Sequence, residues 1–540
     1  MSMQYLFVFF ISLLPIFSIF LTTDLNHTHD GFVHLARMGA YFKALADAQI
    51  PVRWAGDLNY GYGMPLFNFI YQLPYFLSSV FLSFGFGLVI TFKIVLVLSY
   101  ILSGIFMFAF GKAFFNDDKK ALLITVFYQF SPFRLVEILV RGSFGEVYAY
   151  TFLPFVLFGL TLLLRKQTYR NFSIVSLATA LLILSHNALS LVFFGICVLF
   201  TLFFASEKKK IIYGFCALGV GLLLTSFYWI PAIFEHKYTY GDLFMREMYL
   251  SHFPPFANFF IPNFTNSEVL QTGGISVQIG LFHIIGLFLS IMVLYRRKLL
   301  IVDKKIIIFS LILTLSAFIL MEPLSKILWG NISLLRQFQF PWRFLAVVSF
   351  ATSLLSVSFL FFDVVRKKWA YYTLLFLVII STAYYWNPPL GFDKIDEKYY
   401  WNFPLNTTYF GETDVIWSTG PAKAYPKQRV EIIGGQANLS NFTKRSNVHT
   451  FTVDAKTSVQ LVDHTQYFPG WRVFVDDKPV SIEFQDQHWR GEITFVIPKG
   501  THNVKAVFGE SPIRFFADIL SLSSLAALFF VWILHGRKKI

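Results

Sequence analysis

The stretch LVITFKIVLVLSYILSGIFMFAFGKAFFNDDKK, residues 88–120, decides the fold class. From 88 to 110 it is apolar apart from Lys93 and a few small polar residues, which is the roughly 20 residues needed to cross a bilayer. It then enters a loop holding Lys112, Lys119 and Lys120. Composition extends that reading to the whole chain. Of 540 residues, 56% are hydrophobic and 14% charged, with 67 Phe and 11 Trp, against about 25% charged in an ordinary soluble protein.

Working outward, comparable runs predict twelve spans, at about 4–22, 88–110, 121–139, 146–164, 172–187, 188–205, 210–231, 277–295, 303–321, 343–362, 369–386 and 514–535. The first is read as a retained anchor, because its flank MSMQY has no positive charge and no small-residue cleavage site follows. The loops GKAFFNDDKK, RKQTYR, SEKKK, YRRKLLIVDKK and DVVRKKW and the terminal GRKKI hold 20 basic and 5 acidic residues, and the rest of the chain holds 25 and 26. All the excess positive charge sits in those loops. The positive-inside rule therefore makes them, and both termini, cytoplasmic in a plasma membrane. A basic balance placed this way reports topology and argues against a nucleic-acid partner.

With 111–120 inside and 23–63 outside, one crossing fits between them. MPLFNFIYQLPYFLSSVFLSFG, residues 64–85, is interrupted by Pro65 and Pro74 and reads as a re-entrant or interfacial segment. The expected architecture is an α-helical polytopic domain over 1–386 with external loops 23–87 and 232–276. A block at 387–512 follows, and then a last span and basic tail at 513–540. The block changes period: VEIIGG, HTFTVDA, TSVQLVD, WRVFVDD, VSIEFQD, EITFVIP and THNVKAVFG alternate between turn signals such as FPGW, VDDKP and PKG. About seven short strands of this kind predict an extracytoplasmic β-sandwich. Trp471 and Trp489 are core candidates first and sugar platforms second. Cys197 and Cys216 fall within spans, so the sandwich is expected to stand without disulfides.

The first external loop carries NHTHDGFVHLARMGAY, residues 26–41. As a helix it places Asp30, His34, Arg37 and Tyr41 at i, i+4, i+7 and i+11, one polar stripe on an otherwise apolar surface. Such a stripe is expected to face a water-filled cavity or a polar ligand, the alternative being an interfacial helix with its wet side up. Further charges gather at the same side. RLVEILVRGSFGE supplies Arg134, Glu137, Arg141 and Glu146, LSHN supplies His186 and Asn187, and MEPLSKILWGNISLLRQFQFPWRF supplies Glu322, Arg336 and Arg343. Charges at membrane depth are costly and tend to mark function.

HDGFVHLARMGAYFKALADAQIPVRWAGDLNYGYGMPLFNFIYQLPYFL resembles the first-loop signature of a bacterial multi-spanning family labelled 6-pyruvoyl-tetrahydropterin-synthase-related, a pattern shared with YfhO-like membrane proteins. RGSFGE, LSHN, QFQFPWRF and YFPGWRVFVDDKPV match the same pattern, so the resemblance covers nearly the whole chain. These proteins are similar to the GT-C superfamily of glycosyltransferases. That resemblance implies a multi-spanning enzyme with an acidic residue in its first external loop, taking sugar from a polyprenyl-phosphate carrier at the outer leaflet. The acidic role falls on Asp30, with Asp24 as its competitor.

The chemistry fits this layout. Nucleotide sugars are absent outside the cell, so a transferase there needs a lipid-linked donor with a phosphate leaving group. Its partners are then a polyprenyl-phosphate-sugar, membrane lipids and a cell-envelope glycan, glycolipid or protein acceptor. An inverting displacement needs one base and cations at the leaving phosphate. Asp30 is the candidate base, and His34 could orient it or bind acceptor. Arg53, Arg141 and Arg343 suit a phosphate because guanidinium groups fork onto its oxygens. Tyr60 and the aromatic segment GYGMPLFNF could shape a groove, and Glu146, His186, Asn187 and Arg336 complete the candidate binding residues. His27, His29 and Asp30 offer ligand types for a divalent ion, although their spacing matches no metal signature. The rival reading is a transporter or flippase of lipid-linked saccharides, which should show paired repeats and broken helices.

Overall fold

A computed structural model of the chain describes residues 3–261, 275–388, 390–408 and 411–537. Each expected span is met by helix. Seven helical stretches are long and apolar enough to cross a membrane alone, from Met3–Phe20 to Pro512–Leu534. Two expected spans correspond to bent helix pairs: Asp118–Gln129 with Pro132–Arg141, bent by 48°, and Lys208–Leu224 with Ser226–Phe234, bent by 72°. The first break has a local cause, since Pro132 opens the second helix and cannot donate into the one before it. The remaining three expected spans correspond to shorter apolar helices, Tyr169–Ile183, Leu281–Arg296 and Lys368–Ile380, below the length that crosses alone. Leu73–Ser83, with 11 residues, is about 16 Å long and too short to cross a core of about 30 Å.

The 28-residue helix Leu88–Phe115 shows how the two ends of the bundle differ. At its start, the Leu88 and Val89 N–H groups donate to the Glu397 carboxylate at 2.8 and 2.9 Å, which places an anion on the positive helix end. Beyond its other end the basic loops meet: Lys120 pairs with Asp303 at 2.6 Å, and the Tyr371 hydroxyl donates to the Lys119 carbonyl. The first loop, the segment after Phe234 and the β-domain gather at the Glu397 end.

The β-domain is a sandwich. One sheet runs Ala437–Lys444, Val448–Ala455, Gly500–Phe508, Trp471–Val475, Lys478–Val480; the other runs Val430–Gly434, Val459–Gln466, Glu492–Ile497. Val453, Val473 and Val504 of the first face Leu461, Ile493 and Phe495 of the second in one core, which also buries Trp471. Asp476 and Asp477 both adopt positive φ, so VDDKP makes the tight hairpin turn expected of it. Two expectations are corrected. VSIEFQD contributes little strand beyond Val480, touching the sheet only through the Glu483–Thr494 bridge. ANLSNFTK, not expected as a strand, forms one, because as a mostly exposed edge it has little apolar alternation to reveal it.

The connector leading into the β-domain crosses back over the first loop as a strap. Phe392–Asp393 pairs antiparallel with Leu25–Asn26, Asp393 takes a 2.7 Å bond from His27 Nδ1, Tyr400 stacks on Phe32, and Thr407 accepts from Arg37 at 3.1 Å. The β-domain itself sits on residues 47–64: the Gln466 N–H donates to the Tyr62 carbonyl at 2.8 Å and Ser446 N–H to Asp47 at 2.6 Å.

Candidate functional site

The helix Gly31–Ala46 begins at Asp30, and the preceding turn is docked against the end of the bent span. His29 N–H donates to the Val140 carbonyl at 3.1 Å and Asp30 N–H to the Arg141 carbonyl at 2.9 Å. RGSFGE makes this approach possible. Gly142 adopts φ +63°, and a Cβ there would land against the Thr28 side chain. A Cβ on Gly145 would strike Tyr71 at 2.5 Å, so glycine serves both a left-handed turn and two close approaches.

Docking of that turn assembles a charge cluster. Arg141 Nη1 reaches Glu137 at 2.7 Å and Glu146 at 3.0 Å, while its Nη2 lies 3.8 Å from Asp30 Oδ2. Arg343 Nε meets the same Glu146 oxygen at 3.0 Å, and His186 Nε2 stands 3.8 Å from it. One carboxylate oxygen therefore bridges two guanidinium groups. The Arg141 guanidinium lies over Trp342 at 4.9 Å and Arg343 over Phe340 at 5.1 Å, and those two rings stack on each other at 4.9 Å. Glu137 and Glu146 are fully enclosed, whereas the Asp30 side chain keeps 23% of its surface open. Asp30 is thus the cluster's acid that meets solvent.

The other sequence candidates divide. His34 is buried beside this cluster but turned into an aromatic box, its Nδ1 2.9 Å from the Tyr75 hydroxyl and its ring near Phe92 and Phe144. Burial holds its imidazole well below the usual range. Beyond Asp30 the polar stripe does not face water: Arg37 is fixed by Thr407 and Tyr41 by Gln72 Oε1 at 3.3 Å. The strap and Leu73–Ser83 cover it, which corrects the cavity expectation. Asn187 donates to the Phe69 carbonyl at 2.6 Å and accepts from Tyr228, holding the 66–72 segment.

Four candidates lie elsewhere. Arg53 is enclosed by Glu510 at 3.0 Å, Asp518 at 2.7 Å and the Phe227 carbonyl. Tyr60 packs edge-on against Tyr425. Arg336 closes the Lys326–Asn331 helix through the Trp329 and Gly330 carbonyls. Asp24 shares a turn with Thr22, whose carbonyl takes the Lys93 ammonium at 2.9 Å. As for metal, no group of three or more His, Cys, Asp or Glu among the described residues is placed to hold an ion, and His27 is engaged by Asp393. Missed from the sequence were Phe340 and Trp342, although QFQFPWRF stood out and its aromatic pair two residues apart was the available signal.

Comparison with known proteins follows this geometry. The profile of a membrane-protein family described as the 6-pyruvoyl-tetrahydropterin synthase related domain matches residues 67–388. The chain belongs to that family. The matched region carries Arg141, Glu146, His186 and Arg343, while Asp30 and the β-domain lie outside it. An uncharacterised protein of Lactococcus lactis subsp. cremoris (strain MG1363) is 23% identical over 235 residues, 43% of this chain and 38% of that protein. This family member therefore spans well under half of that relative's length. Among solved structures it is similar to the archaeal oligosaccharyltransferase AglB from Archaeoglobus fulgidus, in complex with an inhibitory peptide and a dolichol-phosphate. The identity is 14% and the TM-score 0.46, over 75% of this chain and 60% of that one. It is also similar to the arabinofuranosyltransferase AftD from Mycobacteria, at 16% identity and TM-score 0.44, over 73% of this chain and 28% of that one.

Proposed function

We propose that the protein is a GT-C-type glycosyltransferase that moves a sugar from a polyprenyl-phosphate donor to a cell-envelope acceptor, with Asp30 as the base. The observation that carries this reading is the partly exposed Asp30 carboxylate beside Arg141, with Arg343 joined to Arg141 through Glu146. The basic loops at the opposite end support an extracytoplasmic site in the plasma membrane.

Asp30 takes the proton of an acceptor hydroxyl as that oxygen bonds to the anomeric carbon. The bond from that carbon to the phosphate oxygen breaks, and the phosphate leaves with the electron pair on the opposite face, so the configuration inverts. Arg141 binds Glu137 through Nη1, and Arg343 binds Glu146 through Nε and the Phe338 and Gln339 oxygens through Nη1; Arg141 Nη2, 3.8 Å from Asp30 Oδ2, would serve the base and the phosphate together. Charge changes at the right moment. Proton uptake by Asp30 removes a negative charge from beside Arg141 as the leaving phosphate gains one. The stabilisation is therefore larger in the transition state than in the ground state.

The test uses the full chain in lipid nanodiscs with radiolabelled polyprenyl-phosphate sugars and envelope acceptor extract, with and without a chelator to decide whether a divalent ion takes part. Wild type should transfer label, and Asp30→Asn should lose at least about 100-fold. Equal transfer by both removes Asp30 from the role and leaves Asp24 and Glu146 as the acids to test. A second reading, movement of lipid-linked saccharides across the membrane, draws on the two bent helix pairs. It predicts that a headgroup-labelled donor crosses proteoliposomes with no label transferred.

A further inference from the structure

A second constellation lies away from the charge cluster, where the segment after Phe234 meets the connector to the β-domain. Thr239 bridges Val415, Tyr240 N–H donates to the Asp414 carbonyl at 3.1 Å, and the Tyr240 hydroxyl donates to the Ile416 carbonyl at 3.0 Å. These bonds fix the Tyr240 ring as one wall of a cleft of about 530 Å³, within the range of small-ligand sites. Phe244 stands edge-on to Tyr240 at 6.4 Å and extends the wall. Asp414 and Asn406 form the polar side. The Asn406 amide donates to Asp414 Oδ1 at 3.2 Å, and Asp414 Oδ2 is turned toward Gly411, where a side chain would reach it at 2.7 Å. Thr408, Ser418 and Thr419 add hydroxyls.

The composition of the cleft selects a ligand class. Aromatic rings lining one cleft with a carboxylate and an amide suit a sugar ring, which offers one apolar face and a rim of hydroxyl donors and acceptors. Among its described lining residues there is no Lys or Arg, so a phosphate-bearing polymer would meet a carboxylate with no cation to offset the repulsion. The cleft is also tied to the candidate base. Arg37, seven residues along the Asp30 helix, holds Thr407, the neighbour of Asn406.

We infer that this cleft is the acceptor subsite, and that it takes a neutral, hydroxyl-rich glycan and not a polyanionic polymer such as a glycerol-phosphate chain. This rests on the proposed transferase reading for the word acceptor, but the binding itself does not.

The experiment is saturation-transfer NMR on the full chain in nanodiscs, with chitotetraose, maltotetraose and a glycerol-phosphate oligomer as probes. At least one neutral tetrasaccharide should bind the wild type and the glycerol-phosphate oligomer should not compete. Asp414→Asn, which keeps the side chain's shape, and Thr419→Trp, which fills the cleft from an exposed position, should each weaken binding at least tenfold while the melting profile shows a folded protein. Binding unchanged in either variant, no binding by either tetrasaccharide, or competition by the glycerol-phosphate oligomer overturns the inference. Glycan binding without any sugar transfer overturns the catalytic reading alone, and transfer without binding at the cleft overturns the subsite alone.

Discussion

Asp30 and Arg141 are joined twice: the Asp30 N–H donates to the Arg141 carbonyl at 2.9 Å, and Asp30 Oδ2 lies 3.8 Å from Arg141 Nη2. The proposed base is thereby positioned by the same residue that is proposed to meet the phosphate. Gly142 sets the geometry, because its φ of +63° and its contact with Thr28 leave no room for a side chain. Gly142→Ala should cost roughly 1–3 kcal/mol of local strain and lower sugar transfer at least tenfold, with a folded protein by circular dichroism. Full transfer by that variant shows that the turn does not set the position of Asp30.

Glu146 is the centre of the charge cluster, since one of its oxygens meets Arg141, Arg343 and His186. Removing one partner of a buried ionic network leaves the others uncompensated, typically at about 3–5 kcal/mol. Glu146→Gln should therefore lower the melting temperature in detergent markedly. Adding Arg343→Gln should restore part of the loss, because the pair is then neutral on both sides and the effects of residues in contact do not add. Additive losses in the double variant mean that the two side chains act independently.

Arg53 separates a binding role from a structural one. Its guanidinium ties the first loop to Glu510 and Asp518 at the start of the last helix, where Arg514 holds Glu235 at 3.2 Å. Arg53→Met should destabilise the protein and open the Phe508–Pro512 junction to limited proteolysis, yet leave transfer per folded molecule within about threefold of wild type. A hundredfold loss of transfer with an intact junction returns Arg53 to the phosphate site.

These contrasts show what the chain's own pattern reveals. Apolar runs locate the membrane helices around the charge cluster, because length and hydropathy act residue by residue along the sequence, whereas the Asp30 helix is read from its own residue types. RGSFGE and QFQFPWRF point to Arg141, Glu146 and Arg343 for the same reason, as charges in otherwise apolar surroundings. The stripe of His34, Arg37 and Tyr41 misleads. Periodicity shows that three polar groups share a face, but their partners Tyr75, Thr407 and Gln72 come from other parts of the chain. Arg53 and Arg336 mislead likewise, each being satisfied by groups whose proximity only the tertiary fold creates. The cleft beside Asp414 lies beyond sequence reading because Tyr240 and Phe244 on one side and Asn406, Asp414 and Ser418 on the other are far apart along the chain.

Asp414 offers a test in which stability and function move in opposite directions. Burial, with Glu412 adding to it, pushes its carboxyl up from an ordinary 3.8 to about 6. The folded protein then holds that proton more tightly than the unfolded chain, so stability falls as pH rises from about 4 through 6 and is lowest once the group is ionised. At pH 7 the penalty is roughly 3 kcal/mol, taking 1.36 kcal/mol for each unit of pKa. Asp414→Asn should therefore raise the melting temperature at pH 7, and the gain should vanish by pH 4, where the native aspartate is already protonated. The same variant should lose the neutral tetrasaccharide. A carboxylate kept at a net cost in stability is expected where a ligand uses it. Thermal melts at pH 4, 5.5 and 7 decide the matter: a variant less stable than wild type at pH 7 makes Asp414 a structural support of the connector and removes the reason for reading it as a ligand-binding group.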